Sequence, residues 1–369
     1  MKPPRDLVFV SAGLGLDGGG RAAAGRLLAG ACAVFARERS IALHLLTLNG
    51  GPSSENSALP ALPARDFGGD ARALAFHVWK RQLENRRDAY VFDLLGPARA
   101  QTYLPGFLRA PYLLPLYGIE IWHPLEWDRR RALARATVRF AISHHTLERA
   151  LPFCPELAGT DVVPLALEDR QAEGTVDVSL AGRVGRGFLL IVGRMDARER
   201  YKGHDQLLEA LPKLLELCPN ARLVVAGDGN DRRRLEEKAA YLGVGSAVVF
   251  AGFTSEATLA ELYRSCAVFV MPSRGEGFGL VYLEAMRAAR PVLAALGTAA
   301  EEIVVQDQTG LLVDPDDRET LARTLARLLH DAGAARRMGW AGRERWEREF
   351  GVDRFRQRLE PFLERLVAA

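Results

Sequence analysis

The apolar positions of this chain fall in short continuous runs rather than alternating ones. In the first half the runs are LVFVSA from Leu7, IALHLLTL from Ile41, AYVFDLL from Ala89, PYLLPLYG from Pro111, RFAIS from Arg139 and DVVPLAL from Asp161. In the second half they are FLLIVG from Phe188, ARLVVAG from Ala221, AVVFAG from Ala247, AVFVMPS from Ala267, PVLAA from Pro291 and TGLLVD from Thr309. A strand with two apolar faces is covered on both, as in a parallel sheet between layers of helices. Amphipathic segments such as DQLLEALPKLLEL and DRRRLEEKAAYLG separate the runs. Repeated strand–helix units of this kind predict doubly wound α/β sheets.

One stretch, Glu168 to Gly187, is polar, glycine-rich and without an apolar pattern. It divides the chain into an expected N-terminal Rossmann-like domain over 1–170, a linker over 171–187 and a C-terminal Rossmann-like domain over 188–350. The last segment, 351–369, reads as a helix that packs on either domain, crossing back to the first being one of the two placements. A chain of 369 residues is long enough for two separate cores. Its 48% hydrophobic and 26% charged residues are ordinary for a globular protein. Cys32, Cys154, Cys218 and Cys266 are scattered, with no CxxC pair and no clustered histidines, so neither a zinc site nor a disulfide framework is expected. No apolar run has the length of a signal peptide or a membrane span. The net charge of +3 suits an anionic small molecule or a membrane surface without requiring either.

Candidate chemistry concentrates where strands give way to glycine-punctuated turns. After the run VFVM comes Pro272-Ser273-Arg274-Gly275-Glu276-Gly277-Phe278-Gly279-Leu280, with Glu284 eight residues beyond Glu276 inside the predicted helix. The open N–H groups of a helix start bind phosphate, while flanking carboxylates accept hydrogen bonds from hydroxyls. Phosphates and hydroxyl-rich rings occur together in a nucleotide-sugar. A second element, VGRMDARERYKGHDQ, puts Arg194 and Lys202 just past the end of another strand, where α/β sheets bind ligands. An arginine fork and a lysine point charge together can neutralise a diphosphate. His204, beside Lys202, is read as a neighbour of a helix start and not as catalytic. Gly252 and Phe253 stand at a further strand end, where a base could lie; core packing is an equal reading for Phe253. GLGLDGGG from Gly13 matches GxGxxG, but the second strand ends in Thr47-Leu48-Asn49 without the acidic residue that holds a dinucleotide ribose. That loop is either a plain flexible turn or, the favoured reading, a loop facing a diphosphate, with Gly18 and Gly19 nearest. Asp314-Pro315-Asp316 has a metal-motif spacing but is read as a turn and helix cap.

Arg194, Lys202, Glu276 and Glu284, in that order and context, resemble glycosyltransferase family 4, the former group 1 glycosyl transferases. The likeness is strongest from Phe188 to Pro315; the Gly18-Gly19 loop, YGIEIW and Ser143-x-x-Thr146 agree in the first half. The resemblance implies a GT-B fold, with two Rossmann-like domains facing across a cleft, and a retaining transfer that needs no metal and no cofactor. It implies that Arg194 and Lys202 hold the donor diphosphate, that Glu276 binds the donor sugar and that Glu284 takes the ribose hydroxyls. Backbone N–H groups at Phe278, Gly279 and Leu280 would contact sugar and phosphate. Many relatives carry a histidine facing the donor sugar where this chain has Tyr117, a poor base near neutral pH. Asp93 and Glu120 lie at the same sheet edge as candidate contacts to acceptor or sugar.

The expected partners are therefore a nucleotide-sugar donor and a carbohydrate, lipid-linked or small-molecule acceptor, with no nucleic acid. The tryptophans and arginines of WHPLEWDRRRALARATVR leave a peripheral contact with a membrane open. The expected location is cytoplasmic, in solution or at the inner membrane face. Two other readings stand beside this one: a nucleotide-sugar epimerase, and a non-catalytic nucleotide-sugar-binding protein.

Overall fold

A computed structural model describes residues 5–15, 19–50, 64–169, 172 and 174–369. They form two compact units, one of residues 1–166 with 352–369 and the other of residues 167–351. Unit 1 holds strands β1 (Leu7–Ser11), β2 (Leu43–Thr47), β3 (Ala64–Asp66), β4 (Ala89–Phe92), β5 (Tyr112–Leu116) and β6 (Val138–Ala141). Unit 2 holds β7 (Leu189–Val192), β8 (Leu223–Ala226), β9 (Val248–Gly252), β10 (Val268–Met271), β11 (Val292–Ala295) and β12 (Gly310–Val313).

The two sheets have the same topology. Unit 1 runs β3-β2-β1-β4-β5-β6 and unit 2 runs β12-β11-β10-β7-β8-β9, and the strand pairings are parallel. Strand order reverses between β1 and β4 in unit 1, and between β7 and β10 in unit 2. A crevice opens there at the C-terminal ends of the strands, because successive helices depart to opposite faces. The central strands are buried along their length, as the continuous apolar runs require.

Two expectations about strands are corrected. The run from Asp161 does not form a strand: Val162 makes a single bridge to Ala141, and Pro164 then lacks the N–H needed to continue pairing. Conversely β3, with sequence ARD, has no apolar residue pattern because all three of its residues are exposed at the sheet edge. Within the stretch expected as a linker, Val178–Val184 is a helix, capped by Asp177 through Leu180 N–H.

The helix Val352–Ala368 belongs to unit 1. It buries Phe355, Leu359, Phe362, Leu363 and Leu366 at helical spacing. The Phe362 ring meets Phe140 of β6 edge-on at 5.6 Å, a geometry worth about 0.5–1.5 kcal/mol beyond the area it buries. Glu360 and Glu364 pair with Arg39 at the end of the helix Gly19–Arg39. Among the described residues no helix is long and apolar enough to cross a membrane.

Candidate functional site

The site grows from the switch point of unit 2, where the loops after β7 and β10 lie side by side. The β7 loop begins at Gly193, whose N–H donates to Ala226 O at 3.0 Å. Gly227 and Gly229 of the β8 turn press against it; a Cβ on either would meet the carbonyl oxygen of Gly193 or Met195 at 2.1 or 2.2 Å. Side chains are excluded there because two backbones touch. Arg200 then ties the loop down by a two-pronged contact to Asp231, at 2.9 and 3.1 Å. Asp231 is in turn held by Arg234, which also reaches Asp205. The β10 loop is stitched to the same segment: Arg274 N–H donates to Tyr201 O at 2.9 Å. Gly275 lies flat on the Tyr201 ring, where a Cβ would come within 2.4 Å.

This stitching brings Arg194, Lys202 and Glu276 together. Lys202 Nζ donates to Glu276 Oε1 at 2.9 Å and stands 3.8 Å from Glu199 Oε2. Arg194 pairs with Glu199 Oε1, with its side chain 59% exposed. Lys202, Glu199 and Glu276 are each less than a fifth exposed. Two cations and two carboxylates thus share a recess at the strand ends. An incoming diphosphate competes for both cations, which releases Glu276 and Glu199 to accept hydroxyl hydrogen bonds. Ser273, fully buried, steadies the loop: its Oγ donates to Glu276 Oε1 at 3.4 Å and accepts Gly275 N–H at the same distance.

The helix Leu280–Arg287 starts directly beside this recess. Gly279 precedes it with φ +98, and no side chain caps it. The first N–H groups therefore remain available, and the helix dipole adds positive potential. Phe278 is 3% exposed and packs on Phe350, so it can offer a ligand only its backbone. Gly252, with φ +71, ends β9, and Phe253 is 78% exposed. Core packing is thereby excluded for Phe253.

Glu284, the fifth residue of that helix, does not join the Lys202 cluster. Its Oε2 accepts Tyr263 Oη–H at 2.7 Å. Burial holds its carboxyl above the usual carboxylate range, and the Tyr263 bond partly offsets that. Tyr263, itself 3% exposed, rests on Phe269 of β10. His204 is 6% exposed, and burial, then Lys202, pushes its pKa down to about 4, which leaves a neutral imidazole. Asp314 and Asp316 both pair with Arg274, and the helix cap is Asp317 instead, through Thr320 N–H. Among the described residues no group of three or more His, Cys, Asp and Glu is placed to hold a metal ion.

In unit 1 the candidates separate. Gly18 lies outside the described residues, and Gly19 opens the helix Gly19–Arg39 with φ +62. Asp93 is 3% exposed and faces inward at the switch point. It accepts Ser11 Oγ–H at 2.5 Å and Ala12 N–H at 3.1 Å, so it fastens the end of β1. Burial pushes its pKa up to about 7. Tyr117 follows β5, its phenol pushed well above its usual range by burial and then by Asp93 and Glu120. Glu120 accepts Tyr117 N–H at 2.7 Å. Glu120 also lines a cavity of about 1170 Å³ at the C-terminal edge of this sheet, with Ala12, Arg21, Leu48, Arg72 and Leu94. Ser143 caps the helix His144–Ala150 through Thr146 N–H at 2.9 Å, a structural use of that pair.

Sequence reasoning missed Glu199, Ser273, Tyr201, Asp231 and Tyr263. Glu199 and Ser273 lay inside the quoted motifs and carried a signal in their spacing. Tyr263 had none, since its contact with Glu284 spans two elements.

Both units have the sheet order of a dinucleotide-binding fold, and their pairing in one chain is the GT-B fold. The chain superposes on Anabaena HepE, solved in complex with UDP, with a TM-score of 0.78 over 97% of this chain and 99% of that one, at 18% identity. Residues 179–345 match the family model of glycosyl transferases group 1. An uncharacterized glycosyltransferase of Methanocaldococcus jannaschii is 41% identical over 146 residues, 40% of this chain and 36% of that protein. The GDP-mannose-dependent alpha-(1-6)-phosphatidylinositol monomannoside mannosyltransferase of Mycolicibacterium smegmatis is 32% identical over 238 residues, 60% of this chain and 62% of that protein. The chain thus spans between a third and two thirds of the length of these curated relatives.

Proposed function

We propose that this protein is a glycosyltransferase that moves a sugar from a nucleotide-diphospho-sugar to an acceptor hydroxyl, with retention and without a metal ion. The observation that carries the reading is the Lys202–Glu276 contact at 2.9 Å beside an uncapped helix start, at the switch point of unit 2. The family match over residues 179–345 and the names of the relatives support it.

In this reading the diphosphate lies between Arg194, Lys202 and the N–H groups at Gly279 and Leu280. As the glycosidic C–O bond breaks, negative charge grows on the departing phosphate, and the two fixed cations stabilise it there. They supply the charge that a divalent ion supplies elsewhere. Glu276 holds hydroxyls of the transferred sugar, Glu284 those of the ribose, and Gly252 and Phe253 lie by the base. The departing phosphate, being next to the anomeric carbon, takes the proton of the acceptor hydroxyl on the same face, which gives retention. Tyr117 then serves as a hydrogen-bond partner rather than a base, in keeping with its raised pKa. The unit 1 cavity that contains Glu120 is the place assigned to the acceptor.

Calorimetric titration with UDP, GDP, ADP, dTDP and NAD, each with and without magnesium, tests this. One nucleoside diphosphate is expected to bind irrespective of magnesium and to weaken in Glu284→Ala. Binding of NAD alone would restore the GxGxxG loop as a cofactor site and defeat the reading.

A further inference from the structure

Unit 2 contains a second cavity, of about 810 Å³, within the size range of small-molecule sites. Its lining includes Ala267 and Pro291, the residues just before β10 and β11. It therefore lies toward the N-terminal edge of the sheet. The recess of Arg194, Lys202 and Glu276 is at the C-terminal edge, and none of those three lines the cavity. Glu284, midway along its helix, is the one residue of the proposed donor site that does.

The wall carries six arginines: Arg186, Arg264, Arg287, Arg290, Arg336 and Arg343. Against them stand two acids. Glu284 is engaged by Tyr263, and Asp169 is 3.8 Å from Arg343. Several guanidinium groups are engaged by the fold: Arg264 by Glu261, Arg287 by Glu168 O, and Arg343 by Glu347 and Arg287 O. The others are less so. Arg290 donates to Cys266 O through Nη1, yet its Nε is buried with no hydrogen-bond partner. Arg186 and Arg336, both exposed, make no hydrogen bond or salt bridge with any described residue. Arg290, Arg186 and Arg336 therefore keep guanidinium N–H groups that the fold does not use, and an anion in the cavity could take those that reach it. On the same wall Trp340 is 55% exposed, an indole face open to a planar or sugar ring.

We infer that this cavity is a second ligand site, for a small molecule carrying phosphate and a ring. The phosphate oxygens are taken by Arg186, Arg290 and Arg336, and the ring lies on Trp340. The inference goes beyond the glycosyltransferase reading and does not depend on it.

The test uses the full chain carrying Arg194→Ala and Lys202→Ala, which removes both cations of the donor edge. Inorganic pyrophosphate is titrated in low salt, followed by calorimetry and by tryptophan fluorescence. Saturable binding of pyrophosphate is expected by calorimetry, and a ring-bearing phosphate is expected to give a fluorescence change that disappears in Trp340→Phe. Adding Arg186→Ala and Arg336→Ala, both exposed and without a hydrogen bond or salt bridge to any described residue, is expected to weaken binding on the order of tenfold or more. ADP and glucose 1-phosphate, titrated in the same way, distinguish a nucleotide from a phosphosugar by which one moves the Trp340 signal. No saturable binding, or binding unchanged by the two arginine substitutions while circular dichroism shows the fold intact, overturns the inference.

Discussion

Lys202 is the residue with the most to lose. It is 15% exposed, and its ammonium sits between two carboxylates at a point where the proposed reaction develops negative charge. Lys202→Ala is expected to slow release of the nucleoside diphosphate from its sugar about 100- to 1000-fold, as loss of one preorganised donor does elsewhere. Steady-state assays over donor concentration check it, and the loss should fall on kcat. Tyr263→Phe leaves the fold intact but removes the hydrogen bond at Glu284 Oε2. Affinity for the cognate nucleoside diphosphate should fall roughly fivefold to tenfold. The preference for that nucleotide over its 2′-deoxy form should shrink as well, an effect that simple loosening of the core would not produce. Asp93 gives a pH signature. Folded, it keeps its proton up to about pH 7, whereas its ordinary value is 3.8. Between those values the native state binds the extra proton, so stability falls as pH rises. His204, held neutral by burial, acts in the opposite sense in wild type and variant alike, so thermal melts from pH 4.5 to 7.5 should show Asp93→Asn, which mimics the protonated group, gaining on the wild type as pH rises.

At the scale of elements, the helix Leu280–Arg287 and its glycine lead-in act as one device. Gly279 adopts φ +98, and a Cβ there would meet the Tyr282 ring at 2.4 Å. Gly279→Ala is therefore expected to cost about 1–3 kcal/mol of stability and to displace the helix start, so that nucleotide binding falls with it. Denaturant melts and titration of the same preparation measure both. Much of this was legible in the chain. Strands such as LLIV and VFVM declare themselves by continuous burial, and glycines at strand ends mark where the backbone must come close. What the chain hid was long-range. ARD of β3 has no apolar signal because it is an exposed edge, and the Asp161 run carried too much signal because Pro164 outweighs its apolar neighbours. The anchoring of the Lys202 loop through Arg200, Asp231 and Arg234 joins residues whose charges look like ordinary solvated surface. Glu284 was placed correctly on its helix, but its partner lies 21 residues away on another.

At the scale of the molecule, each unit has its own core, and the chain end belongs to the first. Removing residues 352–369 would uncover Phe140 and take away both ion-pair partners of Arg39. Hydrogen exchange is expected to quicken in β6 and in the helix Gly19–Arg39 and to remain unchanged in β7 to β12. Such selective loosening would show that the donor recess is built by unit 2 alone. The most direct test of the whole account is the release of nucleoside diphosphate from a panel of nucleotide-sugars. It would compare wild type with Lys202→Ala under the same conditions. The account predicts that the wild type releases one nucleoside diphosphate from one donor class, and that the variant loses this activity while remaining folded. Release unchanged in the variant, or none from any donor despite tight nucleotide binding, would contradict it.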